Sequence, residues 1–232
     1  MFRELDTPKG IEIIPSVAVM GFTPVWVKEG MYNPVKVDGT QFETVPLSKM
    51  LLNRYGKMHY LDILGIRKGV VEWNLFQSVA SLEGEIWADM GVVYSDGLID
   101  VIMAGAHGAV ISTKMIASLE EIASSLELTE NVILQIDHDE GIISKDRDIR
   151  NMSVKDLVEE MSAFGLGTFI LDDIRQDRKR VDGKLIETTM EALPEGGELY
   201  VGIEETEELP ELEGSGIKGV LISSSRLLEG IG

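Results

Sequence analysis

Val132 to Ser144 reads V-I-L-Q-I-D-H-D-E-G-I-I-S, an apolar run that ends on an acid. The run of Val, Ile and Leu is too short for a typical helix, and such runs are typical of strands buried on both faces of a parallel sheet. We therefore expect Asp137 at the carboxyl end of a strand. In proteins that alternate strands and helices, the loops at that end form the functional site, whereas the opposite rim mainly supports the fold.

Short apolar runs alternate with segments of helical periodicity on both sides of this stretch. Helices are predicted over 71–82, 95–103, 114–126 and 184–193, and Ser153 is predicted to cap another. The alternation predicts an α/β protein, and its eight strands favour one closed (β/α)8 TIM barrel over residues 1–232, built from half-barrels of about 1–118 and 119–232. The predicted strands are 11–19, 58–63, 85–88, 108–111, 132–136, 168–171, 199–203 and 218–222.

Composition limits the partners of the protein. With 40 acidic and 21 basic residues, the formal net charge is -19, so we expect no binding to nucleic acid or to an anionic membrane. Cysteine is absent, which excludes disulfides, thiolate nucleophiles and cysteine-ligated metals. No apolar run reaches the roughly 18 residues of a membrane span, and the amino terminus lacks the apolar core of a signal peptide. We therefore expect a cytoplasmic protein.

Several predicted strands end in acids. Asp62 lies near the end of its predicted strand, Asp137 and the pair Asp172 and Asp173 follow theirs directly, and Asp89 follows another. A closed barrel brings these ends to one rim, where carboxylates in different environments can divide into acid and base. Asp137, Asp172, Asp173 and Asp62 are therefore the candidate catalytic residues. The alternative for each is that it caps the following helix or closes a turn.

Small and hydroxyl-bearing residues follow other strands and indicate phosphate binding. A helix amino terminus presents unpaired amides to an anion, and small residues let the ligand approach. The alternative is that these residues are ordinary helix N-caps. The candidates are Gly91, Ser112, Thr113 and Lys114 after strands three and four, and Ser224, Ser225 and Arg226 after strand eight.

The segment 137–152 runs without an apolar period and is a candidate lid, because loops of that length are usually functional or disordered. His138, Asp139 and Glu140 lie in it and carry metal-binding groups. Adjacent residues of an extended chain point to opposite sides, so we predict no metal site there. We also predict no cofactor. His59 lies within a strand and is expected to pack in the barrel wall.

Three stretches resemble a known family, the ribotide isomerase of histidine biosynthesis and its barrel relative, the cyclase subunit of imidazole glycerol phosphate synthase. I-I-P-S-V-A-V-M-G-F-T-P-V-W-V-K-E-G-M-Y-N, from Ile13 to Asn33, is similar to I-I-P-A-I-D-L-K-D-G-K-x-V-R-L-x-x-G-x-Y-N. H-Y-L-D-I-L-G at His59 to Gly65 resembles H-V-V-D-L-D-G. G-V-L-I-S-S-S-R-L-L-E-G at Gly219 to Gly230 resembles G-V-I-V-G-R-A-L-Y-E-G.

The resemblance implies a barrel in which aspartates on strands one and five act as the acid–base pair of an Amadori rearrangement, an aldose-to-ketose shift on a phosphoribosyl amine. Asp137 matches the strand-five aspartate, whereas Ala18 stands at the strand-one position. At strand six the family's T-S-I-D-R-D-G becomes L-D-D-I-R-Q-D over 171–177. The family's phosphate-binding glycines are replaced after strand three and reduced to Gly202 in strand seven.

Two functions follow from these residues. The first is a divergent enzyme of isomerase or lyase type that uses Asp137 with Asp172, Asp173 or Asp62 on a small phosphorylated sugar or ribotide-like metabolite. The second is a ligand-binding or regulatory barrel that has lost catalysis, because Ala18 cannot transfer a proton and the phosphate-binding glycines are reduced.

Overall fold

The computed structural model describes residues 2–28, 31–174 and 182–228. Residues 29–30, 175–177 and 229–230 of the motifs quoted above lie outside them. Within the described ranges the strands are β1 (Glu12–Met20), β2 (Thr23–Lys28), β3 (Met31–Pro34), β4 (Lys36–Val37), β5 (Thr40–Gln41), β6 (Lys57–Asp62), β7 (Glu85–Asp89), β8 (Gly108–Ser112), β9 (Val132–His138), β10 (Thr168–Asp173), β11 (Glu198–Ile203) and β12 (Gly219–Ser223).

Helices cover the outside of this sheet. A 3-10 helix over Thr206–Leu212 follows β11. The α-helices in the described ranges are α1 (Thr44–Tyr55), α2 (Ile63–Lys68), α3 (Trp73–Ala80), α4 (Asp96–Met103), α5 (Leu119–Leu128), α6 (Arg147–Asn151), α7 (Val154–Ala163), α8 (Gly183–Ala192) and α9 (Ser224–Leu227).

The sheet closes on itself. Strands β6 to β12 pair in parallel in chain order, and β1 completes the circle by pairing in parallel with both β6 and β12. The predicted (β/α)8 TIM barrel is therefore confirmed. Strands β2 and β3 extend the sheet from β1 as an antiparallel hairpin, a feature that the sequence pattern did not separate from the barrel wall.

Four segments of the structure differ from the prediction. Helix α1 was not predicted, although Pro46 lies in its first turn, where proline is tolerated. The helix predicted from Lys114 begins at Leu119, because 112–116 forms a turn in which the amides of Met115 and Ile116 donate to the Ser112 carbonyl. The helix predicted over 71–82 is α3, and the short helix α2 before it was not predicted. A 3-10 helix containing Pro210 follows β11.

The segment 137–152, predicted as a candidate lid, is packed against the barrel. It contains α6, and an isolated bridge joins His138 to Ile142. Ile142 and Ile149 are buried in the main hydrophobic core. These two isoleucines hold the segment against the barrel, and its role as a lid stays a prediction.

Two apolar layers support the barrel. The inner layer contains Ile14, Ile170 and Leu221, and its Trp87 and Tyr200 rings meet edge to face at 4.7 Å. The outer layer joins the strands to the helices.

Below the inner layer, the ammonium group of Lys57 lies 3.4 Å from carboxylate oxygens of both Glu12 and Glu85, and 4.6 Å from the centre of the Trp87 ring. This floor closes the amino-terminal end of the barrel, so the open end is the carboxyl rim. Among the described helices, none combines the length and apolar character that crossing a bilayer requires.

Gly91, one of the predicted phosphate ligands, is required by packing. Its φ is +73°, and a Cβ atom there would lie 2.6 Å from Ile66 Cα and 2.7 Å from Ile66 N. Its amide donates to Asp89 Oδ1 at 2.9 Å. Gly91 therefore lets helix α2 lie directly against the chain that leaves β7.

Replacing Gly91 with Ala should lower the free energy of unfolding by about 2–4 kcal/mol, because the methyl group meets backbone atoms and the positive φ is strained. Urea denaturation measures the loss. Gly141→Ala is the matched control, since nothing lies within 4 Å of a Cβ at that position. Equal stability of the two variants would contradict the packing role of Gly91.

Candidate active site

Strand register decides which rim acids face the inside of the barrel. Successive side chains of a strand point to opposite faces. Ile170 belongs to the inner layer and Leu171 to the outer one. Asp172 therefore points inward, whereas Asp173 points towards the helices. The same alternation places Asp89 and Asp137 inside the barrel and Asp62 outside it.

Two of the candidate catalytic residues thus lie on the helix-facing side. Asp62 is the N-cap of α2 and accepts a hydrogen bond from the Gly65 amide at 2.8 Å. Its side chain is buried, and burial raises its pKa. Asp173 is also buried, beside His138 in the paired strand β9. Asp62 therefore caps a helix, which was the alternative predicted for it. The acids that point inward, Asp89, Asp137 and Asp172, form a separate group.

Asp137 is the centre of the inward group. It has no exposed surface, and its Oδ1 accepts from Lys114 Nζ at 2.7 Å and from Gln135 Nε2 at 3.0 Å. Its Oδ2 accepts from the Ser112 hydroxyl and, at 3.4 Å, from the Lys114 amide. The Asp137 amide in turn donates to Thr113 Oγ1 at 3.0 Å. Both carboxylate oxygens are therefore bonded to neighbouring protein groups.

Ser112, Thr113 and Lys114 are therefore brought together around a carboxylate. Because the turn replaces a helix start, these residues do not form a helix amino terminus of the kind expected for phosphate. Ser112 and Thr113 are buried, and Lys114 is the one of the three whose side chain is partly exposed, at 31 %. Phosphate contacts of the three residues stay a prediction, and the contacts seen here orient Lys114 and Asp137.

The ammonium group of Lys114 lies in a strongly acidic environment. Burial lowers its pKa, but the charges of Asp137, Asp89 and Asp172 raise it by more, so the net pKa of Lys114 is raised. Lys114 is accordingly a fixed positive charge in the resting protein. The same ion pair stabilises Asp137, which would otherwise be a buried charge without a partner.

A cavity of about 410 Å³ opens at the carboxyl rim beside this pair, and this volume suits a small metabolite. Its wall includes Ala18, His59, Lys114, Gln135 and Asp172. Asp172 and Lys114 face the cavity directly, whereas Asp137 lies behind Lys114. Gln135 Nε2 also lies 3.4 Å from Asp172 Oδ2, so a single amide links the two carboxylates.

Gly202 makes room for Asp172. A Cβ atom at residue 202 would lie 2.5 Å from Asp172 Oδ1. The resemblance implied a phosphate-binding role for glycines at this end of strand seven. Here the glycine lets a carboxylate from the neighbouring strand lie against the backbone, a role that only the strand pairing reveals.

Asp89 is a buried acid with an incompletely bonded carboxyl group. It has no exposed surface, and its Oδ2 has no hydrogen-bond partner within the described part of the chain. Burial raises the pKa of Asp89 to about 6, against the opposing effects of Lys114 and the Gly91 amide. Among the inward acids of the described ranges, it is therefore one that changes charge near neutral pH.

His59 lines the cavity, whereas the sequence predicted it only as a residue packed in the barrel wall. It does lie in the strand β6, but its imidazole lines the cavity and is nearly fully buried. Nδ1 lies 3.0 Å from the Ser16 hydroxyl, and Nε2 has no hydrogen-bond partner in the described ranges. Burial, reinforced by Lys114, lowers the pKa of His59 to about 4, so the ring is neutral at pH 7. Side chains two residues apart in a strand lie on the same face, so His59 shares its face with Leu61, which also lines the cavity. This alternation was the signal in the sequence that could have identified His59.

The carboxyl end of β12 supplies hydroxyl groups to the opposite wall. Ser223 and Ser225 line the cavity with their hydroxyl oxygens 2.8 Å apart, and Ser224 beside them is buried. Arg226 lines it too, but its guanidinium group is paired with Glu205 at 2.7 Å. Ser223, Ser225 and Arg226 therefore lie at one cavity, and the charge of Arg226 is already paired with that of Glu205.

The backbone amides that follow β11 also donate hydrogen bonds to a carboxylate. Glu208 Oε1 accepts from the amides of Glu204 and Glu205 at 2.9 and 3.0 Å, so these donors are used inside the protein. An anion would have to displace Glu208 to bind them. The acidic segment after β11 therefore satisfies these amides with a carboxylate of its own.

His138, Asp139 and Glu140 do not converge on one point. The Asp139 amide donates to the Gly141 carbonyl in a tight turn, and Glu140 has a φ of +55°. Across the described ranges, no group of three His, Asp or Glu side chains has a metal-binding arrangement.

The family comparison agrees with this architecture. A model of the family described as histidine biosynthesis protein matches residues 12–231, nearly the whole chain. The chain belongs to the histidine biosynthesis protein family. None of the curated proteins compared with it matches this chain. Ala18, where the resemblance implied a catalytic acid, lies in the cavity wall, and Lys114 contacts Asp137.

Replacing Lys114 with Met should destabilise the fold by about 3 kcal/mol, because Asp137 keeps its buried charge and loses its counter-charge. Urea denaturation of Lys114→Met, Asp137→Asn and the double variant gives the coupling energy. The double variant should be more stable than Lys114→Met alone. Lys155→Met is the control, since the ion pairs that Lys155 of α7 forms within the described ranges, with Glu159 and Glu191, are exposed.

The raised pKa of Asp89 predicts a pH-dependent stability. Its folded-state pKa of about 6 exceeds the ordinary value of 3.8, so the proton is held more tightly in the folded state. This contribution is present at low pH and is lost as the pH rises through about 6, which amounts to about 1 kcal/mol between about pH 5 and pH 7. Asp89→Asn cannot ionise, so its stability relative to wild type should rise by that amount over the same interval. A parallel pH dependence of the two proteins would contradict the assignment.

Proposed function

We propose that this protein is an enzyme that performs acid–base chemistry of isomerase or lyase type on a small phosphorylated sugar or ribotide-like metabolite. The observation that carries the proposal is that a carboxylate and an ammonium group, those of Asp172 and Lys114, line the wall of one rim cavity. Isomerisation of a sugar requires a base at a carbon and a cation or acid at the neighbouring oxygen. The two side chains supply both.

Asp172 is the proposed base. It lines the cavity, is partly exposed, and accepts from Gln135 Nε2. Gly202 leaves the space in which its Oδ1 lies. A carboxylate held in this way has one fixed orientation towards the cavity, which favours proton removal from a bound carbon acid.

Lys114 is the proposed electrophilic group. Its charge is maintained by Asp137, so it can stabilise negative charge that develops on a carbonyl oxygen. Asp137, which the sequence indicated as the direct acid or base, acts in this proposal through Lys114, because it is fully buried behind it. Lys114 thereby offsets the absence of an acid at Ala18.

The phosphate group is proposed to bind at Ser223, Ser225 and Arg226. The two hydroxyls and the guanidinium group line the wall formed by β12 and α9. Arg226 would exchange its partner Glu205 for the phosphate. A formal charge of -19 makes nucleic acid an unsuitable partner and favours a small ligand held by local cations.

A second candidate function is a non-catalytic ligand-binding barrel. The observations that favour it are Ala18 in the cavity wall and the amides of Glu204 and Glu205 bonded to Glu208. Both functions require ligand binding, so binding alone does not separate them. Proton exchange at a ligand carbon does.

The test is incubation with ribose 5-phosphate, ribulose 5-phosphate or dihydroxyacetone phosphate in D2O, followed by NMR. The wild-type protein should introduce deuterium next to the carbonyl of at least one probe. Asp172→Asn should slow this exchange by about 100-fold or more, since a positioned base contributes roughly 10²–10⁴. Gly202→Ala should slow it too by displacing Asp172 while leaving every reactive group present.

Asp100→Asn, on the exposed face of α4, is the charge-matched control and should exchange at the wild-type rate. Saturable binding of a probe without exchange or interconversion would favour the binding barrel. Unchanged exchange in Asp172→Asn would overturn the assignment of the base.

A further inference from the structure

The amine of Lys114 is accessible to a ligand and is supplied with its own proton acceptor. Among the described residues that line the cavity, Lys114 carries the only amine. Its Nζ lies 2.7 Å from Asp137 Oδ1, and Asp137 has no exposed surface. A carboxylate that contacts the lysine but is shielded from the cavity can exchange protons with the amine far more readily than with a ligand.

We propose that Lys114 forms a covalent imine with the carbonyl carbon of the substrate, so that the substrate is a phosphorylated aldehyde or ketone with a hydrogen on the adjacent carbon. The inference rests on the proposed function and specifies how Lys114 activates the carbonyl. It replaces electrostatic polarisation by a covalent intermediate.

The chemistry balances without an added reactant. Asp137 takes one proton from the Lys114 ammonium group, and the free amine adds to the carbonyl carbon to give a carbinolamine. The carbon–oxygen bond then breaks, the oxygen leaves as water after receiving protons, and the nitrogen becomes an iminium cation. Overall, a carbonyl and an ammonium group give an iminium and one water molecule, with the charge unchanged.

The surroundings of Nζ stabilise the product of this step as well as the resting state. Asp137, Asp89 and Asp172 raise the pKa of Lys114, although burial opposes them. The iminium keeps its positive charge on the same nitrogen, so the same three carboxylates stabilise it. A protonated imine is the form that withdraws electrons from the adjacent carbon.

The base for the next step, Asp172, lies beside Asp137 on the neighbouring strand. Asp172 and Asp137 are paired residues of β10 and β9, and Gln135 Nε2 bonds to both, at 3.4 and 3.0 Å. One amide therefore fixes the distance between the carboxylate that serves the amine and the carboxylate that faces the ligand. Proton removal by Asp172 would convert the iminium to an enamine, in which the nitrogen is neutral.

An imine also explains how a barrel with Ala18 can remain active. Stabilisation of an enolate needs a second acid at the oxygen, whereas an iminium supplies the positive charge itself. One base is then sufficient. The loss of the strand-one acid and the presence of Lys114 in the same cavity are consistent parts of one mechanism.

The test is reductive trapping. The full-length protein is incubated with glyceraldehyde 3-phosphate, dihydroxyacetone phosphate or ribose 5-phosphate and sodium cyanoborohydride, and the modified peptides are identified by mass spectrometry. The peptide with Lys114 should carry the reduced adduct of at least one probe at tenfold or more the level at Lys155, an exposed lysine of α7.

Lys114→Arg separates the inference from the proposed function, because it keeps the charge and cannot form an imine. Loss of both adduct and deuterium exchange in this variant, with its fold verified by thermal denaturation, supports the imine. Exchange near the wild-type rate in Lys114→Arg overturns the imine and leaves the proposed enzyme in place. Equal labelling of Lys114 and Lys155, or no Lys114 adduct with any of the three probes, also overturns it. A Lys114 adduct in wild type without exchange would overturn the proposed function alone.

Discussion

Lys114 Nζ and Asp137 Oδ1 lie 2.7 Å apart at a rim where acids outnumber cations, and the arrangement of the site depends on this pair. Without the ammonium group, Asp137 would be a fully buried charge beside Asp89 and Asp172. With it, three inward carboxylates can share one cation. The turn over 112–116 makes this possible, because within it both the amide and the amine of Lys114 reach Asp137.

The two titrating groups of the inner site respond to pH in opposite directions. Burial raises the pKa of Asp89 to about 6, so its contribution to stability is lost as the pH rises through that value. Burial lowers the pKa of His59 to about 4, so its contribution is present above about pH 6.5 and is lost as the pH falls towards 4. Their slopes oppose one another over much of the same interval. Near pH 6 it is Asp89 that changes charge, because the pKa of His59 lies lower.

The barrel could be predicted from the sequence, because its strands are short apolar runs that alternate with helical segments. The inward or outward direction of each acid was harder to predict. Asp172 and Asp173 are adjacent and chemically identical, and only the position of Ile170 in the inner layer separates them. Asp89 was noted as a strand-end acid but not included among the candidates, although the same alternation directs it inward. The division into half-barrels near residue 118 stays a prediction.

The contacts around Lys114 could not be predicted, because they depend on the pairing of β8 with β9 and on a turn that replaces helical residues. Elsewhere the fold is supported independently of the rim. Lys57 and its carboxylate partners close the opposite end, and the Trp87–Tyr200 pair fills the barrel between that floor and the cavity. Substitutions at the rim therefore leave the packing of the floor unchanged. This separation explains how the side chains of the rim, such as Ala18 and Lys114, can differ from the pattern that the resemblance implied while the barrel keeps its fold.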